Sequence, residues 1–221
     1  MILLVLQKIP HPMISRAAKA ACMGGQMEQR DRDYILQLFP AVLKIKDGGI
    51  REKVIGTWVT AWKRSNFSRI EEAHQFEPAR EHIAYTNVDH TNQVGEACEK
   101  MATMASEILG LKLNMDYLLA GALLHDVDKI VIFDAQTGGW TEAGRRTSHA
   151  VMGASMARAE GFTEEVAHII EAHSTKFSSL PPKSIEALIV RHADLFVAHS
   201  VYLAKGLQMD EVLKESIARI S

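Results

Sequence analysis

Apolar residues recur along most of this chain at the three- and four-residue spacing of an amphipathic helix. The clearest example lies in residues 90–109, where the apolar positions are Val94, Ala97, Met101, Ala105 and Ile108. Gly110 follows this run, and glycine commonly ends a helix because it adopts left-handed backbone angles at little cost. The alternating pattern of a strand is not convincing anywhere after the first few residues. The sequence therefore predicts a mostly α-helical protein.

Capping residues, glycines and prolines divide the remaining pattern into further helices. Helical spacing over residues 31–46 is interrupted by Pro40, and the "DGG" at 47–49 predicts a turn before the next helix. Asp89 is predicted to cap the helix over residues 90–109. Further helices are predicted over residues 50–65, 115–125, 148–160, 164–173 and 185–205, and from Asp210 onward.

The connections between these helices are short, and none is rich enough in proline, glycine or serine to separate two domains firmly. We predict an all-α helical bundle with the functional domain in residues 81–221. Residues 1–80 are predicted to form an N-terminal, mostly helical extension or cap packed on that domain. The chain opens with the apolar "MILLVL", a predicted first strand or buried segment. Lys8 and two prolines cut this run short of a membrane helix, and it lacks the basic start of a signal peptide.

Composition and charge narrow the classes of partner. The 221 residues are 47% hydrophobic and 24% charged, which is typical of a globular protein with a sizeable core. The net charge of −2 gives no overall attraction to nucleic acids or anionic membranes, so neither is expected as a partner. Cys22 and Cys98 match no metal-binding spacing, and we expect reduced thiols in a cytoplasmic protein.

The segment "LLAGALLHDVDKIVIF", residues 118–133, places charged residues directly against an apolar run. The run ends at His125 and Asp126, and Asp128 and Lys129 follow. A carboxylate in an apolar stretch is costly unless it is paired or binds a metal ion. Taken alone, the segment would simply be a helix leaving the core, so residues elsewhere in the chain decide its meaning.

Histidines and aspartates lie near the ends or on the apolar faces of five predicted helices, and a helical bundle can bring such residues to one interior pocket. The six candidate metal ligands are His90, His125, Asp126, His149, His173 and Asp194. A single histidine near a helix end is more often a cap or a core residue, so the prediction rests on the whole set. Imidazole and carboxylate without thiolate suit Fe, Mn, Co, Ni or Zn. Six ligands exceed the needs of one tetrahedral ion and suit two ions that share a carboxylate.

The order of these residues resembles the H…HD…D signature of the HD-domain metal-dependent phosphohydrolases. The resemblance spans about residues 85–205 and rests on four ordered segments, "LLHDVDK", "SHAVMGASMA", "IIEAHSTK" and "RHADLF". It implies an all-α fold and two divalent metal ions as cofactors. The implied ligands of the first ion are His90, His125, Asp126 and Asp194. The implied ligands of the second ion are Asp126, as a bridge, with His149 and His173.

The implied reaction is hydrolysis of a phosphate ester or anhydride in a nucleotide or a small phosphorylated metabolite, by a metal-bridging hydroxide. Asp126 and Lys129 are the predicted catalytic residues, and Lys129 matches the family's lysine that faces a substrate oxygen. Arg145, Arg146 and Lys176 lie near the motifs and are candidate phosphate contacts. Ordinary solvated charges are the alternative for each of the three. A homo-oligomer is left open.

Two other functions fit the same residues. The superfamily includes diiron oxygenases that use O₂ and have a nearly identical ligand set. A non-catalytic, nucleotide-binding sensor is the second alternative. The GYP triplet of the cyclic-dinucleotide branch is absent, which argues against cyclic-di-GMP hydrolysis. Substrate specificity would come from the pocket walls, for which the candidates are Trp58, Trp62, Trp140 and Tyr85.

One position departs from the family pattern. Many relatives carry glycine just before the lysine, where this chain has Asp128. We expect a solvated or capping carboxylate there, and the alternative is a carboxylate that tunes Lys129 or repels some anionic substrates. The histidines outside the ligand set, His168, His192 and His199, are expected to be structural or to support the ligands.

Overall fold

The computed structural model describes residues 27–174, 176 and 178–220, and most of them lie in helices. Ten α-helices form within these ranges. They are α1 (Gln29–Leu38), α2 (Gly48–Arg64), α3 (Asn87–Leu109), α4 (Met115–Leu124), α5 (Lys129–Ile132), α6 (Glu142–Arg146), α7 (His149–Ala159), α8 (Glu164–Ala172), α9 (Ile185–Ala204) and α10 (Met209–Ile220). Short 3₁₀ helices lie at Pro40–Lys44, Ile70–Glu72 and Glu77–Ala79.

Strands are missing from the described ranges, which contain only two isolated β-bridges. The bridges pair His74 with Thr86 and Phe133 with Trp140. The predicted all-α fold is therefore confirmed. The "MILLVL" segment and Cys22 lie outside the described residues, so the expectations for them stay predictions.

The first two helices test the predictions made from proline and glycine. Helix α1 ends at Leu38, two residues before Pro40, and a 3₁₀ helix follows, so the predicted break is confirmed. The turn predicted at "DGG" was wrong. Asp47 caps α2 by accepting from the backbone N–H of Ile50 at 2.9 Å, and both glycines join the helix.

Helix α3 starts at Asn87 rather than at residue 90. Thr86, not Asp89, is its cap, because Thr86 Oγ1 accepts from the Asp89 backbone N–H at 3.0 Å. The Thr86 hydroxyl also donates to the Asp89 carboxylate at 2.7 Å. Two residues of capping type lie three positions apart here, and the earlier one caps while the later one occupies the third helical position. His90 is consequently held inside the first helical turn.

Helix α4 is the apolar stem at the centre of the fold. Its residues from Leu118 to Leu124 are all buried, and it packs against α2, α3, α8 and α9. The close approach to α8 depends on Gly121, since a Cβ there would lie 2.3 Å from Ile169 Cγ2. Burial stabilises each large apolar side chain by about 1.5 to 3 kcal/mol. This packing holds in place the helix end that leads into His125.

The described part of the N-terminal region belongs to the same core. Ile35 of α1 and Trp58 of α2 are fully buried and join a cluster with Leu123 of α4 and Ile170 of α8. The Trp58 indole donates to the Leu123 carbonyl oxygen at 2.9 Å. Trp58 and Trp62 are thus core residues. The division at residue 80 stays a prediction, and the described residues before it pack on those after it.

Helix α9, Ile185–Ala204, is the one described helix that is long and apolar enough to cross a membrane by length and composition. It packs against α3, α4 and α8. It also carries Asp194, whose Oδ1 lies 3.0 Å from His90 Nε2. We interpret α9 as a core helix of the bundle because these contacts join it to the other helices on several sides.

Candidate metal centre

The six predicted ligands come from five stretches of chain, and the structure brings them into one connected cluster. Five lie within or next to the terminal turns of α3, α4, α7 and α8, and the sixth lies in the middle of α9. In chain order they are His90, His125, Asp126, His149, His173 and Asp194. The Asp194 side chain is 16% exposed, and the other five are buried.

His90, His125 and Asp126 form the first ligand group. The two imidazole Nε2 atoms lie 3.1 Å apart, at 3.3 and 3.4 Å from Asp126 Oδ2. Asp194 Oδ1 approaches the same atoms, at 3.0 Å from His90 Nε2 and 3.8 Å from His125 Nε2. Four potential ligand atoms therefore face one another, and they belong to the residues that the family resemblance implies for a first ion.

Asp126, His149 and His173 form the second ligand group. His149 Nε2 lies 2.9 Å from Asp126 Oδ1 and 3.2 Å from His173 Nε2. His173 Nε2 lies 3.7 Å from Asp126 Oδ1. Within each group the ligand atoms lie within 4.8 Å of one another. Both groups can therefore hold a metal ion by the distances between their ligand atoms.

Asp126 belongs to both groups, and its two oxygens are divided between them. Oδ2 faces His90 and His125, whereas Oδ1 faces His149 and His173. A carboxylate in this arrangement can bind one ion through each oxygen, as in sites that hold two neighbouring ions. The shared carboxylate predicted from the number of ligands stays a prediction, and it would need the arrangement seen here.

Two histidines are oriented by backbone carbonyl groups. His125 Nδ1 lies 2.7 Å from the Ala122 carbonyl oxygen, and His173 Nδ1 lies 2.6 Å from the Ile170 carbonyl oxygen. A carbonyl oxygen only accepts hydrogen bonds, so each ring carries its proton on Nδ1. The Nε2 lone pair of each ring is then left to bind a metal ion.

The other two histidines are oriented by side chains. Tyr85 Oη lies 3.1 Å from His90 Nδ1 and donates its own proton to Gln93 at 2.8 Å, so it accepts from His90. Asp128 Oδ2 lies 2.8 Å from His149 Nδ1 and accepts from it. An acceptor at Nδ1 fixes the ring orientation that a metal ligand needs. All four histidines therefore turn Nε2 toward the ligand groups.

The facing Nε2 atoms fit a bound cation. The Nε2 atoms of the paired histidines are 3.1 Å apart in the first group and 3.2 Å apart in the second. Two nitrogens at about 2.0 to 2.1 Å from one ion lie about 2.8 to 3.4 Å apart at the angles of ordinary metal centres. The spacing therefore fits a divalent ion in either group.

A cavity of about 70 Å³ opens onto this cluster. Its lining includes the second ligand group and Asp194, whereas His90 and His125 do not line it. Lys129 and Lys176 contribute positive charge. The apolar part of the lining consists of Phe76, Ile132, Phe133, Trp140, Leu195, Met209 and Leu213. The cavity thus combines cationic groups and candidate metal ligands with an apolar, partly aromatic wall.

The family model of the HD domain matches residues 87–198, which are about half of the chain and include all six candidate ligands. The chain belongs to the HD domain family. HD domains are all-helical and bind divalent metal ions, in agreement with the fold and with the two ligand groups.

Two curated relatives show what this HD domain is similar to. It is 30% identical over 159 residues to a dihydroneopterin 2′,3′-cyclic phosphate phosphodiesterase from Methanocaldococcus jannaschii, covering 68% of this chain and 64% of that enzyme. It is 33% identical over 99 residues to a ribonuclease Y from Acidothermus cellulolyticus, covering 45% of this chain and 17% of that protein. The chain thus spans less than two thirds of either relative. No solved structure matches it significantly.

The two histidines of the second group in this HD domain differ in basicity. Burial alone lowers the pKa of His149, but the carboxylates of Asp128 and Asp126 outweigh burial and raise the pKa to about 9. His173 faces a backbone carbonyl instead, and burial, together with His149 and His125, lowers its pKa to about 3. The carboxylate behind His149 therefore makes it the more basic of the two rings.

Asp126 is held in its charged form. Burial would raise its pKa, but Lys129 and His125 hold that pKa well below the usual range. Lys129 Nζ lies 2.6 Å from Asp126 Oδ2. A turn over residues 125–128 brings Lys129 and Asp126 together.

Asp128 is neither solvated nor a cap, so both parts of that expectation were wrong. It is fully buried, and its side chain makes no capping hydrogen bond although it directly precedes α5. Its partner is His149, which lies 21 positions further along the chain. Helical periodicity gives no sign of such a partner, because the contact forms only when α7 packs beside the turn that carries Asp128.

The three predicted phosphate contacts lie in different places. Lys176 lines the cavity, where it forms an ion pair with Asp210. Arg145 and Arg146 lie on α6 and are not part of the cavity lining, and Arg146 pairs with Glu142 at 2.6 Å. Lys176 therefore stays a candidate phosphate contact, whereas the structure shows no contact between the two arginines and the cavity.

Several cavity residues were missed from the sequence. Gln75 and Phe76 precede the region matched by the HD domain, and His199 was expected to be structural or supporting. Gln75 lies in an irregular segment with no periodicity, so no local signal points to it. Of the four candidate pocket walls only Trp140 lines the cavity, while Tyr85 orients His90 from behind.

Proposed function

We propose that this HD domain hydrolyses a phosphate ester with two divalent ions, one in each ligand group. The observation that carries the proposal is the position of Asp126, whose two oxygens face different groups. Two neighbouring divalent ions lower the pKa of a water molecule and stabilise charge on the attacking and leaving oxygens of a phosphoester. The 30% identity to a cyclic phosphate phosphodiesterase supports the same class of reaction.

Lys129 is proposed to bind the substrate phosphate. Lys129 lines the cavity, and the contact of its Nζ with Asp126 at 2.6 Å restrains the position of the ammonium group. Charge on the phosphoryl oxygens is redistributed as the ester bond breaks, and a fixed ammonium group stabilises such charge strongly where water is scarce. Lys176 lines the same cavity and would contact the phosphate or the leaving group.

The organic part of the substrate is proposed to be a planar heterocycle. Trp140 in the cavity lining stacks on Phe133 with ring centroids 4.6 Å apart, and Phe76 meets Phe133 edge-on at 5.4 Å. Aromatic surfaces of this kind bind flat rings by stacking. Gln75 lines the same cavity with 4% exposure, and its Oε1 has no hydrogen-bond partner among the described residues. A ring N–H of a nucleobase-like or pterin-like substrate would satisfy that oxygen.

The test is metal-dependent hydrolysis of phosphate esters. Chelator-treated protein would be reloaded with Mn²⁺, Fe²⁺, Co²⁺, Ni²⁺ or Zn²⁺ and assayed first with bis(p-nitrophenyl) phosphate. A second panel would contain 2′,3′-cyclic nucleotides, nucleoside monophosphates and a short RNA, and elemental analysis would count the ions. We expect two ions per chain and product release that disappears with chelator. Hydrolysis that persists in the chelated protein would contradict the proposal.

The oxygenase and sensor alternatives predict different results in the same assays. A diiron oxygenase would consume O₂ in its iron-loaded form and leave every phosphate ester intact. A nucleotide sensor would bind nucleotides without turnover under each metal. Lys129 and Lys176 in the cavity lining favour an anionic substrate, and on that ground we prefer the hydrolase.

A further inference from the structure

We propose that Asp128 is a positioning residue for the second ligand group, and that its carboxylate fixes the orientation and the proton position of the His149 ring. The proposal rests on the proposed function only in taking His149 as a metal ligand. It gives a role to a fully buried carboxylate that lies outside both ligand groups and outside the cavity lining.

The His149 ring is held between two carboxylates. Asp128 Oδ2 accepts from Nδ1 at 2.8 Å, and Nε2 lies 2.9 Å from Asp126 Oδ1. An ionised carboxylate only accepts hydrogen bonds, so Asp128 keeps a proton on Nδ1 and leaves Nε2 as the ligand atom. Rotation of the ring would break its contact with Asp128 and turn Nε2 away from the second ligand group.

The surroundings of Asp128 leave room for its side chain. Gly153 lies four residues after His149 in α7, and a Cβ at Gly153 would lie 3.2 Å from Asp128 Oδ1. That oxygen is buried and has no hydrogen-bond partner among the described residues. A buried carboxylate with an unpaired oxygen costs stability. The hydrogen bond to His149 is the contact that offsets this cost.

A carboxylate does more here than fix the proton. His125 and His173 donate Nδ1–H to backbone carbonyl groups, and His90 donates to Tyr85, so a neutral acceptor is enough for orientation. In its ionised form, Asp128 adds a negative charge behind the ring. A charged acceptor makes a stronger hydrogen bond and makes the ring a better electron donor to a metal ion. We therefore expect Asp128 to strengthen ion binding in the second group.

Two variants separate the hydrogen bond from the charge. Asp128→Asn keeps an oxygen that accepts from His149 but removes the charge, whereas Asp128→Ala removes both. In the Zn²⁺-loaded protein, the His149 Nδ1–H should give a slowly exchanging proton resonance far downfield, assigned by its loss in His149→Ala. We expect this resonance in the wild type and in D128N, and its loss in D128A. Titration calorimetry should show that Zn²⁺ binds the second group about 10- to 100-fold more weakly in D128A, with a smaller loss in D128N.

Tyr85→Phe is the matched control, because it removes the Nδ1 partner of His90 in the first group. It should weaken the first group and leave the His149 resonance unchanged. Circular dichroism melting identifies variants that fold. If D128A does not fold, D128N is used instead. A retained resonance with weakened Zn²⁺ binding in D128N supports the proposal, and unchanged Zn²⁺ binding overturns it.

Two outcomes keep this proposal separate from the proposed function. A folded D128A protein that keeps the His149 resonance and binds two Zn²⁺ ions as tightly as the wild type would overturn the role of Asp128. A wild-type protein that shows the resonance and the D128A effect, yet hydrolyses no phosphate ester, would support Asp128 and count against the hydrolase.

Discussion

The two ligand groups use the same kinds of side chain in different surroundings. The first group is closed, since His90 and His125 have no exposed surface and do not line the cavity. The second group is open, since His149 and His173 both line the cavity. Asp126 joins the two groups through its separate oxygens. The cluster thus has an enclosed side and a side that faces the cavity.

This difference points to different tasks for the two groups. An ion in the first group would have four protein ligand atoms when Asp194 is included, and it would hold Asp126 in place. An ion in the second group would have three protein ligand atoms, which leaves positions for water and phosphate, as in catalytic rather than structural sites. We infer that substrate meets the second group and that the first group organises it.

The largest effect is expected from breaking both groups at once. Asp126→Ala removes the carboxylate that the groups share, so we expect both ions to be lost and kcat/KM to fall to the background rate. A loss of several kcal/mol of stabilisation corresponds to about 10³-fold or more. Elemental analysis and the phosphodiester assay measure the two effects. Glu107→Gln, at an exposed position on α3, is the control and should keep both ions and the wild-type kcat/KM. Loss of only one ion in D126A would show that the carboxylate is not shared.

Single histidine variants should then separate the closed group from the open one. Release of ions to a chelator is expected to be biphasic in the wild type, with the slow phase from the closed group. His149→Ala should abolish the fast phase and lower kcat by about 10²-fold or more. His125→Ala should abolish the slow phase. His192→Ala replaces an exposed histidine and should keep both phases. A single phase in the wild type would remove the distinction between the groups.

A substitution of Lys129 tests whether phosphate binds next to the open second group. Lys129→Ala should lower kcat by about 10²- to 10³-fold, the usual cost of losing one group that stabilises transition-state charge, while both ions stay bound. Steady-state kinetics with elemental analysis would check this. Lys112→Ala changes an exposed lysine and should leave kcat unchanged. If Lys129→Ala and Lys112→Ala have equal kcat values, Lys129 does not bind the substrate phosphate.

The aromatic wall next to the open group should affect binding more than chemistry. Trp140→Ala is expected to raise KM by about 5- to 150-fold, since stacking of a base on an aromatic ring contributes about 1 to 3 kcal/mol. Ion content and kcat should change little, and Trp140→Phe should recover most of the loss. KM values for a cyclic nucleotide and for bis(p-nitrophenyl) phosphate would be compared. If a planar-ring substrate has the same KM in the Trp140→Ala variant and in the wild type, Trp140 does not form a stacking site.

The smallest effect overall is expected from a change in the stem that positions both groups. Gly121→Ala places a Cβ against Ile169 and should lower the free energy of unfolding by about 1 to 3 kcal/mol. It pushes α8, which leads into His173, away from α4, which leads into Asp126. We therefore expect the substitution to weaken ion binding more in the second group than in the first. Gly48→Ala, with no atom within 4 Å of its added Cβ, should melt like the wild type. A G121A protein with wild-type melting would show that this helix crossing is not tightly packed.

The helices and the kinds of ligand were largely predictable from the sequence, whereas several boundaries and contacts were not. The stem was predicted over residues 115–125 and forms at Met115–Leu124, where Asn114 caps it by accepting from the Tyr117 backbone N–H at 3.1 Å. At α3, two residues of capping type compete, and the choice of Thr86 over Asp89 depends on backbone geometry. The composition of Gln75 and its neighbours gives no hint of the cavity, because that segment reaches the site only by packing.

By itself, the sequence determined an all-α protein, an apolar stem ending at a His-Asp pair, and six candidate ligands of one chemical class. These are consequences of helical periodicity and of residue chemistry, which are local properties. Only the tertiary structure decided that Asp126 divides its oxygens between two groups and that Asp128 lies behind His149. Both arrangements depend on how α4, α7 and α8 pack against one another, and residues 21 positions apart become partners only through that packing.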